Sequence, residues 1–293
     1  MIGAGAKNAG SKRLALGTVQ FGLPYGITNT RGQVSPADVR RILELAEAAE
    51  IPWLDTAAAY GTAEAVLGET LRRPCQFRVA TKTLPLSAGV DAVIARVHES
   101  LRLLRVERLD ALLVHHAEDL RTADGLWDSL QRLKQRGLVD QVGISAYAAD
   151  DPLSLAKRFQ PDLMQLPVSL LDQRLVLDGT LQALKAMGIA VHARSVFSQG
   201  FLFLQPTAMP PALAHAGVRL KQIQDNLQAA GIAPLQAALM YALGRPEIDQ
   251  ILVGVTRPDE LSDIIAAATG PIEQLEWGKY MVDDPVVLNP SLW

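Results

Sequence analysis

Eight short runs rich in Val, Ile and Leu punctuate this chain at intervals of about 30 residues, the length of one strand plus its crossover helix. They are RLALGTV (13–19), IPWLDT (51–56), FRVATKT (77–83), LDALLVHH (109–116), DQVGISAY (140–147), PDLMQLPV (161–168), IAVHARSVF (189–197) and QILVGV (250–255). None alternates strictly between apolar and polar residues, which is the pattern of strands covered on both faces in a parallel sheet. Between them lie segments of helical period. SPADVRRILELAEAAE (35–50) opens with Ser35 and Pro36 and gathers Val39, Ile42, Leu43 and Ala46 on one face. Residues 89–104 do the same with Val93, Ile94, Val97 and Leu101, and residues 124–137 with Leu126, Trp127, Leu130 and Leu133 before stopping at Gly137. Another helix follows the last run directly, over 256–268.

This unbroken alternation predicts an α/β fold, a closed (β/α)8 TIM barrel in a single domain over 13–293. Residues 1–12 are expected to be a flexible N-terminal segment, and the tail from about 270 to pack on the barrel. A doubly wound open sheet is the alternative, and the segment 198–249, longer than one repeat, has room for an extra element.

Composition narrows the functional classes. Charged residues make up 20% of the 293 and the net charge is -3, a balance that does not court a nucleic-acid backbone. Cys75 is the only cysteine, so no intramolecular disulfide forms and a reducing cytoplasm fits best. The start, MIGAGAKNAGSKR, has no apolar core of signal-peptide length, and no run of roughly 18 or more apolar residues suggests a membrane span. The glycines of GAGAKNAG miss the G-x-G-x-x-G spacing and follow no strand.

In a parallel barrel the C-terminal strand ends converge on the functional mouth. Read in order, they present Thr18 and Gln20, Asp55 with Tyr60 just beyond, Lys82, His115 and His116, Ser145, Gln165, Arg194, then Thr256 and Arg257. Lys82 ends a buried strand, where an ammonium needs an anionic partner, and Asp55 on the neighbouring strand supplies one. A phenol beside such a cation gives up its proton more readily than a free one, which makes Tyr60 a proton donor near neutral pH. His115 then offers an imidazole N–H to orient a carbonyl oxygen. Together the four suit protonation of an oxygen as hydride reaches its carbon. Each also has a plainer reading: Asp55 and Lys82 as a structural ion pair, His115 as a core histidine. Neighbouring His115 and His116 are expected on opposite strand faces, a poor joint metal site, and no metal is expected.

These residues sit in ordered motifs: LALGTVQFG, LDTAAAYGTAEAVLGE, VATKT, DALLVHHAED, VGISAY, MQLPVSLLDQR, ARSVFSQGFL and LVGVTRPDELSD. In this order the sequence resembles the aldo-keto reductases, from about residue 13 to 268. The resemblance implies a nicotinamide-dependent reductase of a small-molecule carbonyl, with Asp55, Lys82, Tyr60 and His115 as a catalytic tetrad. His115 fits because it stands five residues after Asp110 in D-x-L-L-x-H, and His116 then lines the substrate pocket with Tyr25. By the same resemblance Ser145 and Gln165 bind the nicotinamide carboxamide, Gly17 and Thr18 contact the cofactor from the first strand, and Phe197, Ser198, Gln199 and Gly200 surround the pyrophosphate. Gly254, Val255, Thr256, Arg257, Glu260 and Asp263 meet the adenosine end.

Three departures stand out. The family's S-N after the fifth strand is Ser145-Ala146 here. Arg194 replaces an aromatic ring that lies against the nicotinamide; its charge favours an anionic substrate or pairs with a carboxylate elsewhere. Gly254 and Glu260 stand where basic residues commonly hold the 2′-phosphate, leaving Arg257 as the candidate for that role, while Glu260 or Asp263 suit a ribose diol. NADPH is the cofactor that the resemblance favours, and NADH is the alternative. Two rival functions use the same residues: a Schiff-base lyase acting through Lys82, and a non-catalytic sensor of nicotinamide redox state. Trp277 and Trp293 either cap the pocket or pack on the outer helices, and the loop 22–34 forms one pocket wall.

Overall fold

A computed structural model describes residues 10–122, 125–207, 209–270 and 275–293. Eight parallel strands close on themselves in sequence order, and each is followed by a helix before the next begins. The strands are β1 (Leu14–Gly17), β2 (Trp53–Asp55), β3 (Arg78–Lys82), β4 (Leu109–Val114), β5 (Val139–Ser145), β6 (Leu163–Pro167), β7 (Ala190–Arg194) and β8 (Gln250–Gly254). The barrel therefore replaces the open-sheet alternative, because β1 pairs with both β2 and β8. Residues 1–9, most of the expected N-terminal segment, lie outside the described residues, and Ser11–Arg13 form a 3-10 turn.

The helices form where the capping and periodicity place them. In α1 (Pro36–Ala48) the Ser35 side chain accepts from the Asp38 N–H, and Val39, Ile42, Leu43 and Ala46 are all buried. The next helices are α2 (Ala63–Thr70), α3 (Val90–Leu104), α4 (Leu126–Gln135), α5 (Pro152–Phe159) and α6 (Thr180–Ala186). The long segment after β7 holds two further helices, α7 (Gly217–Ala229) and α8 (Pro234–Leu243), and α9 (Pro258–Ala268) follows β8. Each Leu or Ile shielded between strand and helix contributes about 1.5–3 kcal/mol relative to exposure, and this layer holds most of the buried apolar residues.

Inside the barrel the packing is smaller: Ala15, Ala80, Ala111, Leu113 and Leu163 surround Trp53. The Trp53 ring meets His192 edge-on at 5.2 Å and lies under the Arg78 guanidinium at 4.1 Å. These bulky groups come from early β2, early β3 and the middle of β7, so they fill the lower barrel and leave the upper mouth open. Below them Arg13 donates to the carbonyls of Leu243, Arg245 and Ile248 at 2.6–2.8 Å, clasping β1 to the segment that leads into β8.

The tail crosses the outside of the barrel. Val282 N donates to Leu171 O at 3.0 Å, Gln173 Nε2 to Trp277 O at 2.7 Å, and Arg219 to the carbonyls of Lys279 and Met281. Trp277 packs on Tyr241 of α8 with ring centroids 5.5 Å apart, and Trp293 donates to Val286 O at 2.6 Å. Neither tryptophan lines the mouth cavity. Among the described residues no helix is long and apolar enough to cross a membrane.

Candidate active site

The ends of β2, β3 and β6 meet through three buried side chains. Lys82 Nζ donates to Asp55 Oδ2 at 2.6 Å and to Thr56 O at 2.9 Å, and Gln165 Nε2 donates to the other Asp55 oxygen at 2.7 Å. The Lys82 side chain is 1% exposed and that of Asp55 6%. An ammonium buried this deeply is costly unless paired and fully bonded. Burial pulls the Lys82 pKa down, but Asp55 and Tyr60 outweigh it and hold the ammonium above its ordinary value.

Tyr60 completes the cluster from the turn between β2 and α2, with Lys82 Nζ 5.0 Å from its ring centroid. His115 meets the phenol ring edge-on, at 5.8 Å and 80°. Burial first, then the charges of Lys82, His116 and Arg194, pushes the His115 pKa down to about 3, so the imidazole is neutral near pH 7. Its Nδ1 is buried without a partner.

The turn that carries Tyr60 is held from several sides. Ala58 N donates to Lys82 O at 3.1 Å, and Ala63 N donates to Tyr60 O at 3.0 Å. Outside the barrel, buried Glu64 accepts from Thr81 Oγ1 and from Arg96, each at 2.6 Å, and Arg96 also donates to Ala58 O at 3.3 Å. Gly22 presses on the same turn so closely that an added Cβ would sit 1.9 Å from Tyr60 O. Helix-facing groups on α2 and α3 thus fix where the phenol points.

The sequence expectation for the two histidines needs correction. His115 and His116 do not face opposite sides; their rings stack at 4.8 Å and 29°. Strand alternation stops at Val114, where β4 ends, so both imidazoles turn toward the cavity. No group of three or more His, Cys, Asp or Glu among the described residues is arranged to hold a metal.

A cavity of about 640 Å³ opens over this cluster, within the range of cofactor and substrate sites. Asp55, Tyr60 and His115 line it, with Tyr25 and His116, while Lys82 stays beneath the surface. Gly17, Thr18, Ser145, Gln165, Arg194, Phe197, Gln199 and Gly200 also line it, as do Gly254, Val255, Thr256, Glu260 and Asp263. Two of the expected cofactor contacts do not. Ser198 turns inward, its Oγ 3.4 Å from Ser169 Oγ. Arg257 is drawn to Asp259 and Glu260, at 3.3 and 3.4 Å.

Gln20, named from the sequence among the strand-end groups, lines the cavity, and Tyr147, Thr28, Asn29 and Phe203 join it without having been named individually. Tyr147 lies under the Arg194 guanidinium at 4.2 Å. It stands two residues beyond Ser145, which was the available signal. Thr28 and Asn29 belong to the 22–34 loop, which does form a wall.

These residues fit an elongated dinucleotide. Neighbouring strand ends carry Gly17 and Gly254, and a Cβ on Gly254 would fall 2.9 Å from the Gln20 amide, so side-chain bulk is excluded there. Gln20 and Arg194 line the cavity, and Gln20 Oε1 and Arg194 Nε are buried beside it without partners.

Comparison with known proteins agrees with this architecture. The model of the aldo/keto reductase family matches residues 13–280. L-galactose dehydrogenase of Arabidopsis thaliana is 28% identical over 280 residues, covering 89% of this chain and 86% of the relative. The oxidoreductase YcsN of Bacillus subtilis is 26% identical over 203 residues, 68% of this chain and 66% of that protein, so the matched stretch falls just short of two thirds of its length. Among solved structures, an aldo-keto reductase from Bacillus halodurans in its holo form superposes with a TM-score of 0.74 at 20% identity, over 92% of this chain and 90% of that one, a likeness of fold. With the family pattern running through all eight strands, this chain belongs to the aldo/keto reductase family.

Proposed function

We infer that the protein is an NAD(P)H-dependent oxidoreductase that reduces an aldehyde or ketone to the alcohol, with Tyr60 as general acid. The observation that carries this reading is the burial of Lys82 Nζ between Asp55, at 2.6 Å, and the Tyr60 ring, at 5.0 Å. A bound reduced nicotinamide supplies a hydride to the carbonyl carbon. As negative charge builds on the carbonyl oxygen, Tyr60 gives it a proton, and Lys82 stabilises the phenolate left behind. Neutral His115 donates a hydrogen bond to the same oxygen. In the oxidative direction Tyr60 takes the proton back.

Ser145 and Gln165 are the groups placed to hold the nicotinamide carboxamide. Gln165 reaches Asp55 through Nε2, which leaves its Oε1 as the acceptor for an amide N–H. Gly17 and Thr18, the Phe197–Gly200 loop and the Gly254–Asp263 segment then carry the rest of the cofactor, with NADPH favoured by family resemblance and NADH the alternative. Tyr25 and His116 form the substrate wall. A reducing cytoplasm is the compartment that suits this chemistry and the lone Cys75.

The test is Tyr60→Phe. Carbonyl turnover should fall by about 10²–10⁴-fold, while cofactor affinity, read by fluorescence titration, stays near that of the wild type. Turnover close to wild type would remove Tyr60 from the acid role. Tight cofactor binding with no turnover of any carbonyl would instead favour the redox sensor. The Schiff-base reading is disfavoured because Lys82 is held as an ammonium and does not line the cavity, whereas imine formation needs an accessible neutral amine.

A further inference from the structure

The charges around the catalytic cluster do not cancel. Asp55 has both oxygens occupied, one by Lys82 and one by Gln165, and His115 is neutral. That leaves Arg194. Its Nη1 donates to Ser195 Oγ at 3.3 Å and its Nη2 to Ala146 O at 3.2 Å, while Nε is buried without a partner. Among the described residues no carboxylate lies within ion-pairing distance of it.

Arg245 on the far side of the barrel also has a buried Nε without a partner, but it does not line the cavity, and three other partly buried arginines are satisfied. Arg13 caps three carbonyls, Arg96 pairs with Glu64, and Arg174 binds Asp172 through two nitrogens. Arg194 instead sits over the Tyr147 ring at 4.2 Å on the cavity wall, with one N–H on each Nη left unused. Its charge reaches the substrate side of the site: it helps depress His115, and it acts on Tyr25, whose neighbours also include Tyr60 and Tyr147.

A planar fork with unpaired N–H groups and no counter-charge is matched by a carboxylate or a phosphate oxygen pair. We propose that Arg194 is a specificity-determining residue that selects a carbonyl substrate bearing an anionic group, gripped by the guanidinium while the carbonyl points at Tyr60. This deepens, and rests on, the carbonyl-reductase reading above.

The test compares two matched pairs with the purified full-length chain: succinic semialdehyde against pentanal for the carboxylate, and glyceraldehyde 3-phosphate against glyceraldehyde for the phosphate. At least one anionic member should exceed its neutral partner in kcat/KM by about tenfold or more, the scale of one charge-assisted pair, and the arm that does so names the anion. Arg194→Leu should erase that advantage, and Arg194→Lys, which keeps the charge but not the fork, should retain part of it. Independently of any variant, succinate or inorganic phosphate should inhibit reduction of the neutral aldehyde competitively in the wild type. Equal or better turnover of both neutral partners would overturn the proposal. So would an Arg194→Leu variant that loses cofactor affinity while keeping the substrate ratio. If the wild type bound neither NADPH nor NADH, the reductase reading itself would fall, and this inference with it.

Discussion

Lys82 Nζ stands 2.6 Å from Asp55 Oδ2 with both side chains shielded from water, so each is the other's main counter-charge. Removing one partner strands a buried charge. Lys82→Met should therefore cost about 3–5 kcal/mol of stability. The double variant Lys82→Met with Asp55→Leu should recover much of that loss, because no uncompensated ion remains. Urea denaturation of the single and double variants measures both quantities.

The neutrality of His115 sets the expected pH profile. With its pKa near 3, the ring keeps a single N–H proton above about pH 4, so the activity profile from pH 5 to 8 should show no histidine ionisation from this residue. His115→Leu should lower kcat/KM, by roughly 10²-fold for one lost donor, without reshaping the acid limb. An acid limb near pH 6.5 that disappeared in this variant would contradict the assignment.

His192 predicts a stability effect in acid. Burial in the lower barrel is the main cause that lowers its pKa from 6.5 to about 4, and the ring is 4% exposed. A histidine depressed on folding binds its proton more readily in the unfolded chain. Its stabilising contribution is thus complete above pH 6.5 and is lost as pH falls from there toward 4. The loss should amount to about 2–3 kcal/mol. Denaturation midpoints of wild type and His192→Gln, compared between pH 7 and 4, should converge by that amount; parallel curves would show that the ring does not titrate in this window.

In the proposed binding mode the carboxylates beyond β8 meet the cofactor's far end. Glu260 is fixed by Thr256 N at 2.6 Å, Asp263 lines the cavity beside it, and Arg257 is occupied by Asp259 and Glu260. A 2′-phosphate brought here meets like charge. Glu260→Gln with Asp263→Asn should shift the ratio of NADPH to NADH dissociation constants toward NADPH by several-fold or more. Calorimetric titration with each cofactor reads the ratio directly.

Most of the barrel was legible because its signals are local. Runs such as VATK and LDALLV and the Ser35-Pro36 start of α1 announce themselves within a few residues, and the strand ends then placed Asp55, Lys82 and His115 at one mouth. What escaped depended on contacts between distant segments. Asp55 and Gln165 are 110 positions apart, and nothing in either motif says that they are bonded. The inward turn of Ser198 follows from positive φ at Ser195, Ser198 and Gln199, which no composition rule predicts for those residues. The stacking of His115 on His116 was missed because alternation was carried one residue past the end of β4.

The Gln165 to Asp55 bond also spans the full width of the lumen, since β6 lies diametrically across from β2 in the ring of strands. The reacting groups are thus tied to the two opposing halves of the cylinder at once. Opening the cylinder costs Asp55 the amide that orients it from across the lumen, although Lys82 on the adjacent β3 still holds it, so turnover is tied to the closed ring. Loss of turnover and loss of circular dichroism in denaturant should trace a single curve.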